Sequence, residues 1–226
     1  MHIEPGVVEG AKIALSVLTA AGAVAYAAKA SLSTVKHDGV SQLAARSLIT
    51  TFLVFCFFQV LPHYPVGVSE VHFILGATLF LIFGAGPAAI GLAMGLLMQG
   101  VLFAPADLPQ YGINVTTLLV PLLLVDTIAR RLIPAKTAYK DVKYRQALAL
   151  STAYQGGVVA WVAFWAFYGQ GFGAENIAAV SSFSVAYMLV IVVEPLLDIA
   201  ILAVAKSLHQ LKESKLFHSR LYHSAV

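Results

Sequence analysis

The stretch IAAVSSFSVAYMLVIVVEPLLDIAILAVA, from Ile177 to Ala205, decides what kind of protein this is. It exceeds the roughly 20 apolar residues that an α-helix needs to cross the hydrocarbon core of a bilayer. It carries two acids, Glu194 and Asp198, and no base. Runs of the same character recur upstream at 8–30, 45–62, 71–85, 87–104, 113–131 and 146–168. A helix satisfies its own backbone inside lipid, so repeated apolar runs of this length predict helices rather than an open sheet. The fold class expected is an all-α integral membrane protein, a bundle of about seven transmembrane helices. The third run is short, and Gly84-Ala85-Gly86-Pro87 reads as a tight turn between it and the fourth.

Composition agrees. Hydrophobic residues make up 59% of the chain and charged residues only 11%, against about 25% charged in soluble domains, and the mean hydropathy is +0.83. Residues 1–226 therefore read as a single transmembrane domain, with an N-terminal segment at 1–6 and a basic tail at 206–226. The one cysteine, Cys56, excludes an internal disulfide framework and a cysteine-based metal site. Ala28-Lys29-Ala30 looks like a small-residue cleavage site after the first run. However, Glu4 and Glu9 precede Lys12 where a signal peptide needs a basic start, and the run is too long, so it reads as a retained helix.

The placement of Lys and Arg orients the bundle. With the N-terminus outside and seven helices alternating, the inner segments carry Lys29, Lys36, Arg46, Arg130, Arg131, Lys136, Lys140, Lys143, Arg145, Lys206, Lys212, Lys215 and Arg220, and only Lys12 falls outside. Those charges account for the basic balance of the chain as topology, so no nucleic-acid partner is needed. The C-terminus is then cytoplasmic. The outer face holds the N-terminus and the loops at 62–72, 104–114 and 168–175. Of the seven histidines it receives His2, His63 and His72. His37, His209, His218 and His223 fall inside and read as solvated surface residues.

Met1-His2 is a chelating dipeptide that needs no fold. The α-amine, the His2 amide nitrogen and a His2 imidazole nitrogen close fused rings around one ion and leave one in-plane position open. Four nitrogens in a plane suit Ni2+, Cu2+ or Co2+ better than Zn2+ or Mg2+. Removal of Met1 normally requires a small second residue, so Met1 is expected to remain. His63 reads as an interfacial loop histidine, while Asn114 and Gln99 are candidate polar partners that orient imidazoles.

Charges inside the membrane usually mark function. Asp126 has Arg130 four residues on, which predicts an ion pair on one helix. Glu194 and Asp198 share a helix face and could relay protons, dock a partner, or find partners inside the bundle. Gly91 and Gly95 on the fourth run, and the alanines of the first, permit close helix approach. No phosphate-cradling G-x-x-x-x-G-K-[ST] loop is present, and no nucleophile and base converge at one depth, so the chain does not read as an enzyme.

Three blocks resemble the CbiM/NikM family, the cobalt/nickel substrate-binding components of energy-coupling-factor transporters. They are the Met-His-Ile start with a following Pro and Gly, Ser69-Glu70-Val71-His72-Phe73, and Leu96 to Phe103 leading to Gly112-Ile113-Asn114. The similarity is legible over most of residues 1–125 and is hydropathy alone beyond. Glu4 and Pro5 stand in exchanged order, Glu70 stands where a small residue is commoner, and Ala104-Pro105-Ala106-Asp107 replaces a Gly/His-rich turn. The resemblance implies a metal site formed by Met1, His2 and His72, with His72 at the head of the third helix as fourth ligand and Asn114 and Gln99 behind. It implies Co2+ or Ni2+ as transported substrate, no organic cofactor, and residence in the cell membrane. The implied partners are a transmembrane coupling subunit, two ATPase subunits and a small accessory membrane subunit. The competing expectation is a self-sufficient proton-coupled transporter that uses Glu194, Asp198 and Asp126.

Overall fold

The computed structural model describes residues 3–134 and 137–211. Among the described residues seven helices make up the bundle: α1 (Ile13–Asp38), α2 (Val40–Gln59), α3 (Gly76–Phe83), α4 (Ala85–Leu102), α5 (Tyr111–Leu132), α6 (Tyr144–Gln170) and α7 (Ala174–Leu211). Between α2 and α3 lies a hairpin of β1 (Tyr64–Val66) and β2 (Ser69–Val71). Six of the helices are long and apolar enough to cross a membrane.

The exception is α3. The run 71–85 was expected to be a spanning helix, but only eight of its residues, Gly76–Phe83, are helical. At about 1.5 Å per residue such a helix covers only some 12 Å. Its upstream part goes to the last hairpin residue, Val71, and to the non-helical residues 72–75; the hairpin forms where Pro62 and Pro65 stop α2 from continuing and Gly67 supplies the turn at φ 62°. A side chain at Gly67 would also meet the Ala179 carbonyl of α7, so the hairpin lies directly on that helix. The second run begins earlier than expected. The whole connection between α1 and α2 is Gly39, at φ 91°, and the Asp38–Arg46 ion pair (2.7 Å) spans it.

The centre of the bundle is α5, which is enclosed from Ile113 to Leu119, whereas α1 buries only Ser16 and Ala23. Neighbouring helices are tied to α5 by polar bonds within the apolar core. Tyr111 Oη donates to the Ala93 carbonyl of α4 (2.8 Å), Trp161 Nε1 of α6 donates to Thr116 Oγ1 (3.0 Å), and Tyr154 Oη of α6 donates to the Leu118 carbonyl (3.2 Å). Gly91 and Gly95 of α4 face Thr50 and Val54 of α2, so the small-residue pair serves packing within the chain. A Cβ on Gly95 would lie 2.6 Å from Val54 Cγ1. Gly95→Val is therefore expected to overpack this contact and lower stability by about 1–3 kcal/mol, read as a fall in the thermal unfolding midpoint of the purified protein.

The loops at 62–72, 104–114 and 168–175 do gather at one end with the N-terminal segment. Glu4 N–H donates to the Val68 carbonyl (3.1 Å), Gln110 Nε2 reaches the Glu4 carbonyl (3.5 Å), and Gln170 Nε2 reaches the Gly6 carbonyl (3.4 Å). At the other end, Asp126 and Arg130 form the ion pair expected from their spacing (3.0 Å) beside a cavity of about 620 Å³ also lined by Ser33, Thr34 and Tyr139. Among the described residues no histidine lines that cavity.

Candidate metal centre

Met1 and His2 lie outside the described residues, as do His218 and His223, while the chain leading from His2 is well placed. Ile3 is buried and forms an antiparallel bridge with Ser69, so the N-terminal segment extends the hairpin on the free side of β2. Its N–H donates to Asn114 Oδ1 at the head of α5 (2.9 Å). Asn114 thus holds the backbone next to His2. Gly6, at φ 90°, then turns the chain back toward α1, and Val7 N–H closes the turn on the Glu4 carbonyl (3.2 Å).

His72 sits three residues beyond Ser69. It is not at the head of a helix, as expected, but on a four-residue strap, 72–75, between β2 and α3. Beyond the strap α3 begins at Gly76, where only a glycine fits because a Cβ would strike the Tyr154 ring. The hairpin register pairs Tyr64 with Val71, and the next position brings His63 opposite His72. Their rings stack at 5.0 Å with 13° between planes, and Phe58 meets the His72 ring edge-on at 4.9 Å. An ion bound by an imidazole lies in the plane of its ring. Two near-parallel stacked rings do not share such a plane, so in this arrangement His63 forms a wall beside His72 rather than a second ligand to the same ion.

His72 is 1% exposed, and its Nε2 lies 2.9 Å from Glu70 Oε2. The sequence reading noted Glu70 only as a departure from the family block. The available signal was Glu-x-His on extended chain, since residues two apart on a strand share a face.

The far end of the strap is held by α7. The Glu194 carboxylate accepts the N–H groups of Ile74 and Leu75 (the latter at 3.1 Å) and the side-chain amide of Gln155, and Tyr187 Oη donates to Gln155 Oε1 (2.8 Å). Asp198 accepts the Thr78 hydroxyl one turn into α3. Glu194 therefore sits at the N-terminus of α3, where orphan N–H groups need acceptors. Leu75 adopts φ 53°, the one positive φ among described non-glycine residues, and the carboxylate holds it there. Of the three readings of these acids, the structure finds them partnered inside the bundle.

Gln99 is buried on α4, and its Oε1 has no hydrogen-bond partner among the described residues. His37 is exposed near the end of α1, with Nδ1 2.7 Å from the Ser33 carbonyl oxygen. Among the described residues, no three His, Cys, Asp or Glu side chains come together in a way that could hold a metal.

Six spanning helices of high hydropathy define a multi-pass membrane protein. Residues 2–210 match the CbiM family, described as the cobalt uptake substrate-specific transmembrane region, and the chain belongs to that family. The match reaches well beyond residue 125, the limit of the motif resemblance. The fold is similar to the crystal structure of a truncated transition metal transporter, with TM-score 0.67 and 18% identity over 93% of this chain and 99% of that one. It is also similar to that of a transition metal transporter, with TM-score 0.66 and 17% identity over 98% of each chain. No curated protein matches the sequence.

Proposed function

We propose that this chain captures a divalent transition-metal ion, Co2+ or Ni2+, at the end of the bundle where the N-terminal segment, the hairpin and the His72 strap meet. The observation that supports this best is the double anchoring of Ile3, on Ser69 and on Asn114. It brings the chain carrying Met1 and His2 in beside the strand that leads to His72. The α-amine, the His2 amide and the His2 imidazole then supply three nitrogens, and His72 supplies the fourth. The described side chains offer no complete ligand set of their own, so a site here draws on the N-terminal nitrogens.

The Lys/Arg asymmetry supports an outward-facing site and a cytoplasmic C-terminus. For the source of energy, the reading is a substrate-capture subunit of an ATP-driven energy-coupling-factor importer, working with a coupling subunit and two ATPase subunits. What favours this over a self-sufficient proton-coupled carrier is the use of Glu194 and Asp198 as hydrogen-bonded anchors of the strap and α3.

The test is metal titration of the purified full chain. Structural four-ligand sites bind with about 10–16 kcal/mol, or about 3 kcal/mol per ligand. His72→Ala should therefore weaken Ni2+ binding by about a hundredfold or more, and undiminished affinity would refute the site. Binding also displaces the proton of the α-amine, whose ordinary pKa is near 8, and that of the His2 amide. Affinity should thus rise with pH, by about a hundredfold per unit between about pH 6.5 and 8 and more steeply below, where the imidazoles are protonated as well, as followed by titrating the metal at several pH values.

A further inference from the structure

Glu70 and His72 lie two residues apart as the chain leaves β2, an arrangement that turns both side chains to one face. The result is the 2.9 Å contact between His72 Nε2 and Glu70 Oε2. A carboxylate offers only lone pairs, so the proton between them belongs to the ring nitrogen, and in a neutral imidazole the remaining lone pair is then on Nδ1. The His72 side chain is fully buried, whereas that of Glu70 is 24% exposed, so the carboxylate stands on the outer side of an enclosed ring. Phe58 against the ring edge and His63 against its face limit rotation. His63 is held in the complementary way. Its Nδ1 lies 3.1 Å from the Leu61 carbonyl oxygen, which places its proton there and fixes the wall against which His72 rests.

We propose that Glu70 is a positioning residue for metal capture: it holds His72 as the Nε2–H tautomer and thereby commits Nδ1 to the ion. The carboxylate adds a second effect. A negative charge behind the ring makes the opposite nitrogen a stronger donor, the arrangement by which carboxylate–histidine pairs tune bound metals. The site then uses a neutral imidazole whose lone pair points one way before any ion arrives, and no tautomer shift is needed on binding. This proposal rests on the capture reading, with His72 as ligand.

Two measurements on the full chain test it separately from that reading. The first needs no metal: ring ¹⁵N shifts of histidine-labelled protein report which nitrogen of His72 bears the proton. Wild type should show Nε2–H, and Glu70→Leu, which is similar in size but accepts nothing, should lose that preference. The second is Ni2+ affinity. Glu70→Leu should weaken it about 10- to 100-fold, the usual cost of removing such an outer partner, while Glu70→Gln, which keeps a carbonyl oxygen, should recover part of the loss. Proton on Nδ1 in the wild type would overturn the proposal. So would unchanged affinity in Glu70→Leu alongside lost affinity in His72→Ala, a result that leaves metal capture standing. Unchanged affinity in His72→Ala would instead remove the reading beneath it. If Glu70→Leu fails to fold, the wild-type ring spectrum and the Glu70→Gln titration decide.

Discussion

Glu194→Leu is expected to lower the stability of the protein by about 3–5 kcal/mol, the scale set by leaving several buried donors without an acceptor. The residue is wholly buried and serves three donors, the N–H groups of Ile74 and Leu75 and the amide of Gln155. Leucine leaves all three unsatisfied in an apolar interior, at about 1–3 kcal/mol each before relaxation. It also releases Leu75 from its left-handed conformation, so His72 loses its downstream anchor and Ni2+ affinity should fall with stability. Glu194→Gln keeps one carbonyl oxygen for the strap and should be milder in both respects. A thermal unfolding scan paired with metal titration checks this. A relay role for the carboxylate predicts the reverse: Glu194→Gln would fold and bind metal normally but transport none.

The second large effect concerns the N-terminus. An uncleaved peptide tag fused before Met1 removes the α-amine from the chelate and should abolish tight Ni2+ binding without disturbing the Ile3 anchors. A single alanine between Met1 and His2 should act differently. It places the imidazole third in the chain, so the amine, two amide nitrogens and the imidazole fill the whole plane. Ni2+ binding should persist in that variant and become indifferent to His72→Ala. The wild type should depend on both ends of the site. Titrating the four combinations of insertion and His72→Ala gives the coupling between them, and equal dependence on His72 with and without the insertion would count against the chelate.

Much of the architecture was legible because lipid simplifies the code. Run length and the Lys/Arg distribution anticipated the spans and the gathering of three loops at one end. They misplaced the start of α3, since hydropathy cannot distinguish an apolar helix from an apolar hairpin and strap. The signals that could have done so, Pro62, Pro65 and Gly67, were read as a loop. Gly91 and Gly95 were legible as permitting close helix approach, and the structure sets them against Thr50 and Val54 of α2. Asn114 was singled out for an imidazole, but its oxygen goes to the Ile3 backbone, because a side-chain acceptor cannot be matched to its donor before the chain is folded. Glu194 was visible as an intramembrane acid. Its task was not, since the strap residues it holds, Ile74 and Leu75, lie some 120 positions away in the chain.

The strap has a mechanical consequence. It is four residues long, its upstream end is fixed in the hairpin register and its downstream end is bonded to α7, so it links the two directly. At about 3.3 Å per residue, a shift of α7 by a few ångströms relative to the hairpin must either drag the His72 ring with it or break its hold on Glu194. A movement of α7 at Glu194 relative to the hairpin is thus passed to the backbone that carries the imidazole.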